Sequence, residues 1–224
     1  MSLLSESDSK AFLARHGVVF PDERLVRTPG EAGAAATELG YPVVVKLGGT
    51  GIAHKTERGL VRLGLESAGA VENAASDLLA AARPEDGPVH LLVAPMIRGS
   101  REFIAGLHRD PTFGMVVMLG VGGVLAEAVD AASCRLVPID DADAAEMIDE
   151  FTVPALLGAV RSEPPVDRRA LGSILVALSR AAEAEGDLLS ADLNPLIVAG
   201  GRPVPVDALV EWRDGGEGGS DGHA

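Results

Sequence analysis

The sequence has little of what secreted, zinc-thiolate and membrane proteins need. Its 224 residues include a single cysteine, Cys134, which cannot form an intramolecular disulfide or build a thiolate zinc site alone. We expect Cys134 to be a buried small apolar residue. No run approaches the about 18 apolar residues of a transmembrane helix, and the opening MSLLSESDSK lacks the basic end and apolar centre of a signal peptide. These absences predict a soluble cytoplasmic protein.

Aromatic and basic side chains are also scarce. Only 3% of the residues are aromatic although 47% are hydrophobic, so the core must be built from closely packed Ala, Val, Leu and Ile. The 33 acidic and 19 basic side chains give a formal charge of -14, and the basic residues are scattered. Because nucleic-acid binding requires a basic patch, the composition argues against a nucleic acid as partner. The length favours one large domain or two small lobes.

The most informative stretch runs from Gly40 to Val61 and reads GYPVVVKLGGTGIAHKTERGLV. Residues 42–47 form an apolar strand in which Lys46 is the only charge, and a glycine-rich turn follows. Such a turn can direct successive backbone N–H groups towards one anion, so strand, lysine and turn together are typical of a phosphate-binding site. An ordinary tight turn is the simpler alternative, since glycine occurs wherever φ must be positive.

His54 follows this turn in a segment that resembles a P-loop. G-T-G-I-A-H-K-T matches G-x-x-x-x-G-K-[ST] except that His54 replaces the second glycine. Because a side chain there removes the backbone freedom that a P-loop needs, we exclude a Walker site. A neutral imidazole is a nucleophile near pH 7 and can carry a phosphoryl group, whereas a lone loop histidine is more often a plain surface residue. The residue alone leaves both interpretations open.

A second group of polar residues lies near the end of the chain. Residues 188–198 and 203–208 read as two antiparallel strands joined by a Gly-Gly turn. This hairpin would bring the oxygen donors of Asp192, Asn194 and Asp207 to one end. Magnesium prefers a few such ligands, with waters and nucleotide phosphates completing its coordination. In the alternative interpretation, these polar residues merely cap the edge of the hairpin.

Between these regions, Glu102 begins a strand with alternating apolar residues, and a second glycine-rich turn, residues 120–123, follows another apolar strand. A glutamate here faces solvent by default, but a carboxylate beside an apolar hinge strand could also bind a ribose hydroxyl. Capping residues and helical periodicity predict helices over 5–16, 29–40, 67–82, 140–150 and 167–186.

These motifs together resemble the ATP-grasp domain of the nucleoside-diphosphate-forming acyl-CoA synthetases, in the succinyl-CoA synthetase-like superfamily. GYPVVVK, HKT, RDPTFG, GVGG and DLNPLIV occur in that family's order and spacing. The chain looks like the whole beta subunit of an ADP-forming acetyl-CoA synthetase, or like the equivalent C-terminal region of single-chain versions. The resemblance implies an α+β ATP-grasp fold of two α/β lobes with the nucleotide between them. Its parts would be an N-terminal helical brace (1–22), a first lobe (23–95), a second lobe (96–212) and a disordered tail (213–224).

The resemblance also implies roles for individual residues. His54 would accept a phosphoryl group delivered by a mobile loop of the alpha subunit and pass it to ADP, or the reverse. Asn194 and Asp207 would bind Mg²⁺. The nucleotide-binding residues would be Lys46 at the phosphates, Ala53 and Lys55 in the loop over them, Ala94, Pro95 and Met96 at the adenine hinge, and Glu102 at the ribose.

The predicted function is an acid–thiol ligase of the ADP-forming acetate–CoA ligase type. The chain would be its ATP-binding beta subunit, coupling acyl-CoA cleavage to ATP formation through a phosphohistidine. A CoA-binding alpha subunit is the expected partner, because the sequence has no G-x-G-x-x-G Rossmann unit.

Three residues, Glu57, Leu60 and Ala94, depart from the family pattern. The alternative function is therefore a catalytically silent ATP-grasp module that senses nucleotide and regulates a partner protein. A carboxylate–amine ligase is disfavoured by the HKT segment, since such ligases need no phosphohistidine.

Overall fold

The structure, a computed structural model, describes residues 1–49, 51–52, 58–123, 132–151, 153–160 and 163–213. Its helices and strands are, in chain order, β1 (Ser2–Leu3), α1 (Glu6–Arg15), β2 (Arg24–Val26), α2 (Pro29–Leu39), β3 (Val43–Gly49), β4 (Val61–Leu65), α3 (Ala68–Ala80), β5 (Val89–Pro95), β6 (Glu102–Asp110), β7 (Gly114–Val121), β8 (Ala132–Leu136), α4 (Asp141–Asp149), α5 (Arg168–Ala184), β9 (Leu188–Ala199), β10 (Arg202–Pro205) and β11 (Leu209–Trp212).

The chain divides into two units. The smaller comprises residues 20–98, and the larger combines residues 1–19 with those from 99 onward. Both units contain helices and sheets, so the predicted α+β class is confirmed. In the part of the chain that the structure describes, no helix has the length and apolar character needed to cross a membrane.

The smaller unit is built on a four-stranded antiparallel sheet in the order β2, β5, β3, β4. The central strand β3 pairs with β5 along its whole length, and all of its residues are buried. Helices α2 and α3 pack against each other and against the sheet. Among the described residues, the buried cluster of this unit consists of Ala, Val and Leu, as the scarcity of aromatic residues predicts: Ala32, Ala35, Ala36, Val43, Val45, Leu47, Leu60, Val71, Ala75, Leu78, Leu91 and Val93.

Helix α2 begins and ends at local signals in the sequence. The Glu31 backbone N–H donates to Thr28 Oγ1 at 3.3 Å, and the Thr28 backbone N–H donates to the Glu31 carboxylate at 3.2 Å. Pro29 occupies the first turn, where its missing N–H costs nothing, and Gly40 ends the helix with a φ of 85°. Because these signals need no tertiary contacts, the sequence predicts both ends of the helix correctly.

The described residues of the larger unit form a seven-stranded antiparallel sheet. Its order is β1, β11, β9, β6, β7, β8, and β10 also pairs with β9. Helix α5 packs on this sheet, and α1 and α4 pack against α5. Phe103 on β6 meets Phe151 edge-on, with ring centroids 5.7 Å apart. The few aromatic residues thus contribute to the core of the larger unit.

Cys134 lies on the edge strand β8 with its side chain exposed, so the prediction of a buried residue is wrong. The alternation of side chains along a strand explains the difference. Ser133 is only 7% exposed and takes the inward position, which turns its neighbour Cys134 towards solvent.

Candidate functional site

Strand β3 carries Lys46 on the face of the smaller sheet opposite the helices. Val45 and Leu47 belong to the cluster under the helices, and the side chain between them points the other way. Lys46 is 8% exposed and lies three residues before the end of β3 at Gly49. The strand therefore places one buried lysine near its C-terminal end, which precedes the His54 segment in sequence.

The predicted adenine hinge lies on the neighbouring strand. Ala94 pairs with Val44, two residues from Lys46, and paired residues on adjacent strands point to the same face. Pro95 ends β5, and the Met96 backbone N–H continues the pairing by donating to the Pro42 carbonyl at 3.0 Å. All three hinge residues are half-buried. The structure thus brings Lys46 and Ala94 to one face of one sheet.

The residues predicted to cover the phosphates, Ala53, His54 and Lys55, lie outside the described residues, as does Glu57. Leu60, which departs from the family pattern, is described. It is 1% exposed and belongs to the buried cluster of the smaller unit, and its carbonyl accepts a hydrogen bond from the Leu47 N–H at 2.9 Å. The side chain of Leu60 therefore fills the core.

In the larger unit, Glu102 begins β6 and contacts the second glycine-rich turn. The Gly122 N–H donates to the Glu102 carbonyl at 2.9 Å. Gly123 has a φ of +65°, and a Cβ there would lie 2.9 Å from Glu102 Oε2. Only glycine lets the turn pass this carboxylate without displacing it.

The predicted hairpin near the end of the chain is present and brings its polar residues together. Leu196 pairs with Pro205 and Asp192 pairs with Leu209, so Asn194 and Asp207 lie between two paired stretches. Burial raises the pKa of Asp192, a hydrogen bond with Asn194 opposes this, and the charge of Asp207 raises it further. Asp192 therefore interacts with both Asn194 and Asp207.

This group fits a magnesium ion better than a transition metal. Among the described residues, no three His, Cys, Asp or Glu side chains come together as a metal-binding group. Two carboxylates and an amide oxygen are hard donors, and Mg²⁺ uses only one or two protein carboxylates when nucleotide phosphates supply other ligands. A cation would also relieve the repulsion between Asp192 and Asp207.

Sequence reasoning missed an ion pair beside the segment that contains His54. Arg58 donates from Nη1 to Asp86 Oδ1 at 2.6 Å and from Nη2 to Oδ2 at 2.9 Å. Asp86 is 0% exposed and lies in the short 3₁₀ turn Pro84–Asp86. Hydrogen bonding to Arg58, the largest influence, lowers the pKa of Asp86 to about 2 although burial raises it. The RPEDGP composition predicts only the turn, because the partner of its aspartate is distant in sequence.

The pair between Arg58 and Asp86 should make stability depend on pH in the acid range. Since the pKa of Asp86 falls from 3.8 to about 2 on folding, the ionised pair stabilises the fold above about pH 4, and this contribution is lost as the pH falls towards about 2. We expect the difference in unfolding free energy between the wild type and an Arg58→Met/Asp86→Asn double variant to be constant above about pH 4 and to shrink below it. Urea unfolding across this range measures the difference, and a value independent of pH would contradict the expectation.

A buried arginine next to Glu102 was also missed. Arg101 is 3% exposed and donates to the carbonyls of Gly158 at 2.7 Å and Pro164 at 2.6 Å, and to the Glu163 carboxylate at 3.3 Å. These hydrogen bonds connect the start of β6 to the residues on either side of position 160. Every residue has a backbone carbonyl, so the sequence cannot indicate which carbonyls accept hydrogen bonds from Arg101.

The two α+β units and their glycine-rich turns can be compared with known proteins. The protein-family model described as the ATP-grasp domain matches residues 1–211 of this sequence. The chain therefore belongs to the ATP-grasp family.

A relative from Pyrococcus furiosus aligns with most of this chain and is of similar length. It is the beta subunit of ADP-forming acetate–CoA ligase II, 34% identical over 211 residues, which are 92% of this chain and 89% of the relative.

Solved structures agree with this relationship. The dinucleotide-forming acetyl-coenzyme A synthetase 1 of Candidatus Korarchaeum cryptofilum, in complex with coenzyme A, Ca-AMPCP and HgCl⁺, has a TM-score of 0.88 at 31% identity, covering 95% of this chain and 94% of that chain. Another structure of that enzyme contains coenzyme A and Mg-AMPPCP, with its phosphohistidine segment pointing towards the nucleotide binding site. It has a TM-score of 0.80 at 31% identity, covering 95% and 93% of the two chains. The comparisons confirm the predicted ATP-grasp fold and the resemblance to beta subunits.

Proposed function

We propose that the chain is the nucleotide-binding beta subunit of an ADP-forming acyl-CoA synthetase, an acid–thiol ligase of the acetate–CoA ligase type. It transfers a phosphoryl group between ADP or ATP and His54. The observation that carries the proposal is the position of Lys46. It lies on β3, the strand that precedes the His54 segment, and it shares one face of the sheet with Ala94 on β5. The similarity to a beta subunit over 92% of this chain supports the proposal.

The proposal assigns nucleotide contacts to individual side chains and backbone groups. In the smaller unit, the Lys46 ammonium binds the phosphates, Ala53 and Lys55 cover them, and residues 94–96 contact the adenine through their backbone. In the larger unit, Glu102 accepts hydrogen bonds from the ribose hydroxyls. The turn at Gly123 runs beside that carboxylate and limits where it can go.

Asn194 and Asp207 hold the magnesium ion, with Asp192 positioning Asn194 through their hydrogen bond. When bound, the ion neutralises charge on the transferring phosphoryl group and orients the nucleotide phosphates.

The chemical step is an in-line displacement. A nitrogen of neutral His54 attacks the γ-phosphorus of ATP, and an N–P bond forms. The bond from that phosphorus to the bridging oxygen breaks, ADP leaves with the electron pair, and the remaining ring proton passes to solvent. Lys46 stabilises the phosphate charge during transfer. The reverse step forms ATP from phosphohistidine and ADP.

A second chain completes the overall reaction. This chain provides nucleotide binding and a phosphoryl carrier, so a CoA-binding alpha subunit supplies the acyl-CoA chemistry and delivers the phosphoryl group to His54. The two subunits form a hetero-oligomer in the cytoplasm, where acyl-CoA, ADP and phosphate are present.

The test of the proposal is a search for phosphate on His54. The purified chain is incubated with Mg²⁺ and ATP labelled at the γ-phosphate, alone and with a candidate alpha subunit, and acid-labile phosphate is located by mass spectrometry. We expect label on His54. If ATP binds but no label appears even with a cognate alpha subunit, the chain is instead a nucleotide-sensing module.

Replacing Gly123 by alanine should weaken nucleotide binding. The new Cβ would lie 2.9 Å from Glu102 Oε2 and displace the carboxylate from the ribose, so we expect the Kd for ADP to rise about tenfold, as loss of a charged hydrogen bond does. Isothermal titration calorimetry measures the Kd. Gly114→Ala is the matched control, because Gly114 has a φ of +87° with nothing near its Cβ position, so it adds backbone strain without the clash. Equal Kd changes in both variants would contradict the role of Glu102.

A further inference from the structure

The chain on both sides of residues 53–57 is attached to one residue, Asp86. Before them, the Gly51 N–H donates to the Asp86 carbonyl at 3.2 Å. After them, Arg58 forms its two hydrogen bonds with the Asp86 carboxylate. The stretch that contains His54 therefore starts and finishes on the turn Pro84–Asp86.

Close backbone approach strengthens the first attachment. A Cβ on Gly49 would lie 2.8 Å from the Asp86 carbonyl oxygen, and a Cβ on Gly51 would overlap the Glu85 carbonyl oxygen. Both approaches are closer than real Cβ contacts, so both positions require glycine. The chain entering the His54 segment lies directly against the turn.

The second attachment is a buried, directional ion pair. Asp86 has no exposed surface, and the Arg58 side chain is 21% exposed. The carboxylate also accepts the Arg83 backbone N–H at 2.8 Å, which fixes its orientation within the turn. A bidentate guanidinium bound to an immobile carboxylate restricts the direction as well as the distance of the chain at Arg58.

We infer that Arg58 and Asp86 are positioning residues for phosphoryl transfer, because they tie the chain that follows residues 53–57 to the turn that also holds the chain before them. The inference rests on the proposed function. Neither residue is among the nucleotide contacts of the proposed function, so the pair would act on the transfer rate through the geometry of the nucleophile. A misplacement of about 1 Å can slow such a step about 100-fold.

The experiment compares Arg58→Met, Arg58→Lys and the wild type in His54 labelling from Mg²⁺ and γ-labelled ATP. We expect Arg58→Met to slow labelling between about 10-fold and 100-fold while the Kd for ATP stays within about twofold. Arg58→Lys restores part of the rate, because it keeps the charge but loses the bidentate geometry. Arg62→Met is the matched control, since Arg62 is near in sequence and bonds only the backbone carbonyls of Gly59 and Val61 among the described residues.

The double variant Arg58→Met/Asp86→Asn is the control for a folding defect in Arg58→Met. It removes the buried carboxylate that the single variant leaves unpaired. It should remain folded by circular dichroism and still label slowly. Labelling of the folded double variant at the wild-type rate would overturn the inference alone, and so would equal losses of labelling rate and ATP affinity. A wild type that takes no label at all would overturn the proposed function and the inference with it.

Discussion

Replacing His54 by asparagine should reduce transfer of the γ-phosphoryl group of ATP to the chain by more than about 10³-fold, because the amide nitrogen is not a nucleophile. Asparagine is similar in size and polarity to histidine, and in the proposed function nucleotide binding depends on Lys46, the hinge and Glu102. The Kd for ATP should therefore stay within about twofold of the wild type. Acid-labile label by mass spectrometry and calorimetric ATP titration measure the two quantities.

His108→Asn is the matched control for this prediction. His108 lies exposed on β6, and the same substitution there should leave both labelling and ATP affinity unchanged. If the His54→Asn protein is labelled as fast as the wild type, another residue carries the phosphate and the proposed mechanism is wrong. If ATP affinity falls in parallel with labelling, His54 contributes to binding and its role as carrier alone is wrong.

Local sequence signals predicted most of the fold. Pro29 at the start of α2, the glycine at its end and the apolar run of β3 each act over a few residues, so the elements appear where the pattern places them. The hairpin of β9 and β10 could also be predicted from the sequence, because its two strand patterns and the Gly-Gly turn between them are contiguous. The arrangement of these elements as an ATP-grasp fold came from the resemblance, which the family match confirms.

Contacts between residues distant in sequence could not be predicted. Arg58 meets Asp86 across 28 positions, and both look like ordinary surface charges in their own segments. Arg101 binds mainly backbone carbonyls, which every residue has. Cys134 was misplaced for a related reason. Which side of an edge strand faces the core depends on its pairing with β7, and that pairing is not visible in the residues around Cys134.

Replacing Asp207 by asparagine should lower the rate of His54 labelling about 100-fold at a magnesium concentration that saturates the wild type. The substitution keeps the shape of the side chain and removes one of the two carboxylates that interact at this end of the hairpin. A metal site that loses a charged ligand binds its ion more weakly, so the magnesium dependence of labelling should shift to higher concentration. ADP affinity measured in excess EDTA should not change, since Asp207 would contact the nucleotide only through the ion.

Glu211→Gln is the matched control, because it makes the same carboxylate-to-amide change on β11, where Glu211 accepts a hydrogen bond from Ser190 at 3.2 Å. Its magnesium dependence should equal that of the wild type. If Asp207→Asn also titrates like the wild type, the ion is held elsewhere and the assignment of Asn194 and Asp207 is wrong. A shift confined to Asp207→Asn would instead locate the ion at the end of the hairpin, because the two variants differ from the wild type by the same charge in the same unit.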